Sequence, residues 1–190
     1  MGSSWAADAS ERDRWITYAG RLEGVQIERV RYFNIDYRRW DVAPDHVGVR
    51  EIADETEWAE PTFEFPGGHT LDYGLELTGP TGHTWSVTWI PPGVTEGLAL
   101  HDEPMLPNAL SADSSTAMWD VSGWTCWRQL VGQSVESVHV EYEPWDGTGS
   151  WWCRRLELRF ASATVEVLEA EGLPDGTIAP SANNIVVRLT

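Results

Sequence analysis

Lysine is absent from this sequence of 190 residues, and its 13 basic side chains, all arginine, are outnumbered by 30 aspartates and glutamates. The absence is typical of a GC-rich bacterial genome or a salt-adapted proteome. Because phosphate binding requires a basic surface, the net charge of −17 argues against a direct nucleic-acid ligand. The charge favours either a basic protein partner, attracted by complementary fields, or a role in solubility alone.

Cysteine is scarce, and long apolar runs are missing. Two cysteines, Cys126 and Cys153, are too few for a disulfide framework or a four-ligand zinc site. Free thiols are expected in a reducing compartment, although the two residues flank one predicted strand pair and their pairing stays open. No stretch approaches the roughly 18 apolar residues of a membrane helix, and the first residues lack a signal-peptide pattern. The sequence therefore predicts a cytoplasmic protein without membrane contact.

Catalytic motifs are also missing: there is no nucleophile elbow, phosphate loop, pair of metal-binding histidines or dinucleotide fingerprint. His69 and His83 each stand in a Gly-His-Thr triplet, but the predicted hairpin separates them by roughly 20 Å. We therefore predict no catalytic residue, no metal and no cofactor. Enzymatic activity stays open, because the many carboxylates could form a pair suited to glycoside hydrolysis.

A weak repeat links the two halves of the chain. Residues 22–30 match residues 130–138 at Leu, Gly, a β-branched residue, Glu and Val, and Leu-Glu-Leu recurs at 75–77 and 156–158. This pattern favours two related antiparallel β units that arose by internal duplication. The predicted fold class is mainly β, α+β at most, with one or two short helices.

The clearest local pattern surrounds a turn at Thr78–Gly82. Apolar residues alternate with polar ones before and after the turn, which is typical of a hairpin with one buried face. Matching the apolar faces pairs Leu75 with Trp85 and Tyr73 with Val87. In the second half Leu158 faces the strand that contains Val167, so we expect Leu75, Trp85, Leu158 and Val167 in the core.

These patterns divide the chain into two β units, which we expect to pack together as one domain. Residues 1–10 form a disordered end, 11–107 a first β unit, 108–118 a connector and 119–190 a second β unit. Residues 41–65 are an acidic insertion in the first unit, because the second unit has no counterpart to them.

The insertion supplies the main candidate site, since inserted loops often carry function. We predict that a partner contacts its carboxylates, with an apolar anchor from Trp58 or from the tryptophans beside the glycine-rich turn near 147. The candidate partner-binding residues are Glu51, Asp54, Glu55, Glu57, Trp58, Trp145, Trp151 and Trp152. A solvated loop without a partner is the alternative.

Three functions fit these features. The first is a non-enzymatic acidic binder that neutralises or occludes a basic protein, such as a toxin or effector, in the manner of an immunity protein or inhibitor. The second is a small-molecule or carbohydrate binder, or a hydrolase, with a tryptophan-rich cleft between the units. The third is a structural subunit of a larger assembly. The oligomeric state is left open by the sequence.

Overall fold

A computed structural model of the protein describes residues 4–90, 97–145 and 147–190. Strands dominate this part of the chain, which confirms the mainly β prediction. The strands are β1 (Trp5–Ala6), β2 (Arg29–Ile35), β3 (Arg50–Ile52), β4 (Glu64–Phe65), β5 (Gly68–Leu71), β6 (Gly74–Thr78), β7 (Thr84–Ile90), β8 (Gly97–His101), β9 (Thr116–Asp120), β10 (Ser137–Trp145), β11 (Ser150–Arg159), β12 (Thr164–Gly172) and β13 (Ile178–Leu189). The α-helices are α1 (Ala9–Ala19), α2 (Arg39–Val42), α3 (Glu55–Ala59), α4 (Met105–Asn108) and α5 (Thr125–Arg128).

The strands form two sheets. The six-stranded sheet has the order β3-β9-β2-β6-β7-β8, and its β3–β9 pair is parallel. The seven-stranded sheet has the order β1-β11-β12-β13-β5-β4, with β10 also paired to β11. A single cluster of buried side chains contains residues from both sheets, so the sheets share one core. No helix in the described part of the chain is long and apolar enough to cross a membrane.

The segments that carry the sequence repeat hydrogen-bond to each other. Gly24 N donates to Val135 O at 2.8 Å, and Gly132 N donates to Ile27 O at 2.7 Å. The strands that follow are neighbours in the same order, β2-β6-β7-β8 in one sheet and β10-β11-β12-β13 in the other. Duplication itself stays a prediction, which this matching arrangement supports.

The four residues chosen as core markers are buried, as predicted: Leu75, Trp85, Leu158 and Val167 are each at most 2% exposed. Leu158 pairs with Val165, and Val167 pairs with Leu156 and Val187. The apolar alternation along these strands therefore identified their inward faces correctly.

The hairpin at the Thr78–Gly82 turn forms, but its register differs from the prediction. Leu75 lies opposite Val87 and Leu77 opposite Trp85, a shift of two residues. The loop closes between Thr78 and Thr84, where Gly79 N donates to His83 O at 2.9 Å. A shift of two residues keeps every side chain on its face, so the apolar pattern alone does not exclude it.

The predicted strand through residues 71–77 is two strands in different sheets. Leu71 ends β5 in the seven-stranded sheet, and Gly74 begins β6 in the six-stranded sheet. Gly74 has φ +152°, and a Cβ there would lie 2.2 Å from Val87 O. The corner therefore requires glycine, because any side chain would collide with backbone.

Residues 4–10 are ordered, in contrast to the disordered end predicted for 1–10; residues 1–3 lie outside the described ranges. Trp5 pairs with Trp152 in β11, and Ala6 is fully buried. Asp8 Oδ1 accepts a hydrogen bond from Glu11 N at 2.9 Å and caps α1. Strand pairing and capping together hold this end against the sheet.

Two other predicted boundaries differ from the observed elements. The connector at 108–118 ends inside β9, which lies between β3 and β2 in the six-stranded sheet. The acidic insertion at 41–65 contributes β3 to the same sheet, and its Ile52 and Phe63 are buried. Residues 91–96, within the predicted first unit, lie outside the described ranges.

Candidate functional site

The segment between β2 and β4 is organised around Arg50, the first residue of β3. Arg50 Nε and Nη2 donate to the two carboxylate oxygens of Asp36, both at 2.7 Å. Its Nη1 and Nη2 donate to the two oxygens of Glu57 at 2.7 and 2.9 Å. One guanidinium therefore ties the end of β2 and helix α3 to the edge strand β3.

Arg50, Asp36 and Glu57 form a triad with an excess of negative charge, because two carboxylates share one cation. The hydrogen bonds from Arg50 to Asp36 and then to Glu57 hold the pKa of the guanidinium above its usual value. All three side chains are largely buried, with exposed fractions of 12%, 2% and 5% for Arg50, Asp36 and Glu57. Planar bidentate pairing of this kind fixes geometry as well as charge.

Helix α3 is held at its N-terminus and along its inner face. Asp54 Oδ1 accepts from Thr56 N at 2.7 Å, which caps the helix and, with the Thr56 hydroxyl, lowers the pKa of Asp54. Trp58 Nε1 donates to Ile52 O at 3.2 Å, and its ring lies 5.0 Å from that of Trp124. The aromatic cluster continues through Phe63.

The predicted acidic contact residues separate into two kinds. Glu51, Asp54 and Glu55 are exposed on or beside β3 and α3. Glu57 is buried and bound to Arg50, so its carboxylate is not available to a partner. Glu57 is therefore not part of the exposed acidic surface, because its carboxylate is bound to Arg50 inside the protein.

The predicted tryptophan anchors are less exposed than expected. Trp58 packs in the aromatic cluster. Trp145 lies edge-on to Trp5 with ring centroids 5.9 Å apart, and the guanidinium of Arg12 sits 4.4 Å above the ring of Trp151. Trp152 pairs with Trp5 across β1 and β11. Trp145, Trp151 and Trp152 thus belong to the seven-stranded sheet, whereas β3 belongs to the six-stranded sheet.

A different tryptophan is exposed next to the acidic residues. Trp40, in α2, is 75% exposed, and Val47 is 76% exposed. Five of the six large apolar side chains identified as exposed in the described residues come from one stretch of thirteen: Ile35, Tyr37, Trp40, Val42 and Val47. Such a concentration is typical of a protein-binding surface rather than of scattered surface residues.

The segment that carries these apolar side chains is held in place by hydrogen bonds from the side chains of Arg39 and Tyr37. Arg39 Nη1 donates to Ser115 Oγ at 3.0 Å, and Arg39 also donates to the backbone oxygen of His46. Tyr37 Oη donates to Asp72 Oδ1 at 2.9 Å. The stretch is therefore held against the sheet while its apolar side chains point outward.

We call residues 35–55 with their exposed side chains the acidic–apolar surface. Its exposed carboxylates are Asp41, Asp45, Glu51, Asp54 and Glu55. Trp40 is not among the predicted anchors, although the run Tyr37-Arg-Arg-Trp40-Asp41 has no apolar periodicity that would indicate burial. Comparisons of the chain with protein-family models, curated proteins and solved structures found no match.

Proposed function

We propose that the protein is a non-enzymatic acidic binding protein whose acidic–apolar surface occludes a basic protein partner, in the manner of an immunity protein or inhibitor. One observation carries the proposal: Trp40 is three-quarters exposed in a stretch that also displays Tyr37, Val42 and Val47 beside five exposed carboxylates. Tryptophan is enriched at the energetic centres of protein interfaces, and carboxylates around it select a basic partner.

The two kinds of side chain have different kinetic roles. Carboxylates such as Glu51 and Asp54 speed the diffusional encounter with a basic surface, and the net charge of −17 extends that attraction. Trp40 and Val47 lose water only in the bound complex, so they slow dissociation. Arg39, the residue before Trp40, already binds Ser115 and the backbone oxygen of His46.

The proposal also includes the cellular compartment in which the partner is bound. Both cysteines are free thiols, Cys126 half-buried and Cys153 buried. Free thiols fit a reducing compartment, so we propose that the encounter takes place in the cytoplasm.

A site-specific crosslink tests the proposed surface. A photoreactive phenylalanine analogue replaces Trp40 in one variant and Ile16, on the outer face of α1, in a control variant. Exposure of both in native lysate should give a crosslinked basic protein at position 40 and not at position 16. An acidic protein at position 40, or the same product at both positions, would contradict the proposal.

Kinetics with the purified captured protein then separate the two roles. Replacing Glu51, Asp54 and Glu55 by serine should lower the association rate and weaken its dependence on salt. Trp40→Ala should raise the dissociation rate and leave the association rate nearly unchanged. Unchanged rates in both variants would remove the acidic–apolar surface from the interface.

A further inference from the structure

A cavity of about 150 Å³ lies away from the acidic–apolar surface, beside β5, α5 and the end of β13. Its apolar wall includes Trp127, Val165, Val187 and Leu189, and His69 and Cys126 supply polar atoms. An apolar protein cavity of this volume is large enough to hold benzene. The space is therefore adequate for one small ring.

The polar groups of the cavity belong to a connected network of four side chains: Trp127, Tyr32, His69 and Cys126. Trp127 Nε1 donates to Tyr32 Oη at 2.6 Å, and Tyr32 Oη lies 3.0 Å from His69 Nδ1. Cys126 Sγ lies 3.6 Å from the same nitrogen. These contacts occupy Nδ1, whereas Nε2 of His69 has no hydrogen-bond partner within the described ranges. One imidazole nitrogen is thus free to meet another group.

The wall of the cavity has one charged side chain near neutral pH, Arg188, and that side chain is already paired. Burial lowers the pKa of His69 to about 4 and raises the pKa of Cys126 to about 11. Arg188, which also borders the cavity, is bound to the carboxylate of Glu166. Because an ion would lose its hydration without meeting a free opposite charge, the cavity favours a neutral ligand.

We propose that this cavity binds a small neutral molecule, one aromatic ring in size, whose single hydrogen-bonding group meets Nε2 of His69. The ring packs against Trp127, Val165 and Val187, which supply the apolar contact. The hydrogen bond to His69 selects a phenol-like molecule over a plain hydrocarbon. The site shares no residue with the acidic–apolar surface, so its occupancy and partner binding are separate properties.

Titration with phenol and with benzene, followed by NMR, tests the proposal on the full chain. Both probes should give saturable shifts of the Trp127 indole N–H and of the His69 ring protons. Phenol should bind about fivefold more tightly, as expected for one additional hydrogen bond. Absence of saturable shifts with both probes would overturn the proposal.

Two variants assign the two parts of the site. His69→Phe keeps a ring and removes the nitrogen, so phenol should bind no more tightly than benzene; a retained phenol preference would overturn the role of His69. Leu189→Phe fills the cavity and should weaken both probes at least tenfold, whereas Ile16→Phe on the surface of α1 should leave both affinities unchanged. Equal affinities in Leu189→Phe and the wild type would place the probes elsewhere.

A measurement on the wild type remains decisive if a variant does not fold. Saturating phenol should slow alkylation of Cys126 by iodoacetamide severalfold, because the occupied cavity blocks access to Sγ. Mass spectrometry of the peptide that contains Cys126 measures the rate. An alkylation rate that phenol does not change would overturn the proposal.

Discussion

Arg50 holds Glu57 by two parallel hydrogen bonds, of 2.7 and 2.9 Å, inside a segment whose composition suggests a solvated acidic loop. The same guanidinium holds Asp36 by two more. The acidic–apolar surface is therefore built on an internal ion cluster that fixes β3 and α3 to the sheet. Glu51 and Glu55 lie exposed outside this cluster, whereas Asp36 and Glu57 are buried inside it.

The first prediction concerns this cluster. Arg50→Met leaves two buried carboxylates without a cation, and we expect a loss of about 3–5 kcal/mol in the free energy of unfolding. Arg154→Met is the matched control, because Arg154 pairs with Glu143 where both side chains are more than a third exposed. The control should cost less than about 1 kcal/mol in urea denaturation. Equal losses in the two variants would show that the Arg50 cluster does not stabilise the fold.

The second prediction separates the exposed tryptophan from the packed one. Trp58→Ala removes the contact with Trp124 and the hydrogen bond to Ile52 O, and should cost about 3 kcal/mol of stability. Trp40→Ala removes a side chain that is mostly in water and should change stability by less than about 0.5 kcal/mol. Urea denaturation of both variants measures the contrast. A large loss for Trp40→Ala would mean that this ring is packed rather than displayed.

The strands and their inward faces could be predicted from the sequence, because they follow from the apolar periodicity. Alternation predicted the hairpin around Thr78–Gly82 and the inward faces of Leu75 and Leu158, because a slip of one residue would expose every apolar side chain. It did not determine the register, since Leu75 opposite Val87 and Leu75 opposite Trp85 bury the same face. The difference lies in the length of the loop, which Gly79 and Gly82 allow to vary.

Pairings without a local pattern were not predictable in the same way. The parallel pairing of Arg50 with Ala117 joins distant parts of the chain, and β3 is only three residues long. Strand β1 has two residues, too few for any periodicity. Short edge strands form because a neighbouring strand offers its backbone, which is a tertiary effect.

The sequence pointed to the acidic segment but did not separate its exposed side chains from its buried ones. Composition counts Glu57 with Glu51 and Asp54, although Glu57 is buried against Arg50 and the other two are exposed. Composition likewise does not separate Trp40, which is exposed, from Trp58 and Trp145, which were predicted as anchors and are half-buried. Which polar residue finds a buried partner depends on tertiary contacts, so the pattern of one segment does not reveal it.

The third prediction concerns pH. Burial lowers the pKa of His69 from 6.5 to about 4, so between these values the unfolded chain binds a proton that the folded protein does not. The free energy of unfolding should therefore fall as the pH drops through this window, with His69 contributing about 3 kcal/mol of the loss by pH 4. Urea denaturation across the window measures it.

Matched histidine substitutions isolate that contribution. His69→Gln should flatten the pH dependence relative to the wild type, because glutamine does not titrate. His139→Gln, at an exposed position on β10, should retain the steep decline caused by His69. Parallel curves for the wild type and His69→Gln would show that the imidazole is already protonated in the folded protein.

The fourth prediction concerns the shared core. Leu158 is fully buried, and Leu158→Ala should cost about 2–5 kcal/mol through lost burial and the cavity left behind. Val47→Ala, at a position that is 76% exposed, should change stability by less than about 0.5 kcal/mol. A denaturant midpoint for Leu158→Ala within error of the wild type would mean that β11 presents its other face to the core.

The last prediction concerns the two glycines that mark the sequence repeat. Gly24 and Gly132 have φ of +81° and +90°, and a Cβ at either would meet no atom within 4 Å. The cost of a side chain is therefore confined to the backbone, about 1–2 kcal/mol for a left-handed residue other than glycine. Gly24→Ala and Gly132→Ala should each lower the free energy of unfolding by this amount. The two losses should be nearly equal, because each glycine donates a hydrogen bond to the opposite segment in the same way.

Gly20→Ala is the control, since Gly20 has φ −59° and open space around it. This variant should be neutral or stabilising by up to about 1 kcal/mol. Urea denaturation of the three variants measures the effects. A loss at one repeat position and none at the other would show that the two segments are not structural equivalents, and would remove the main support for duplication.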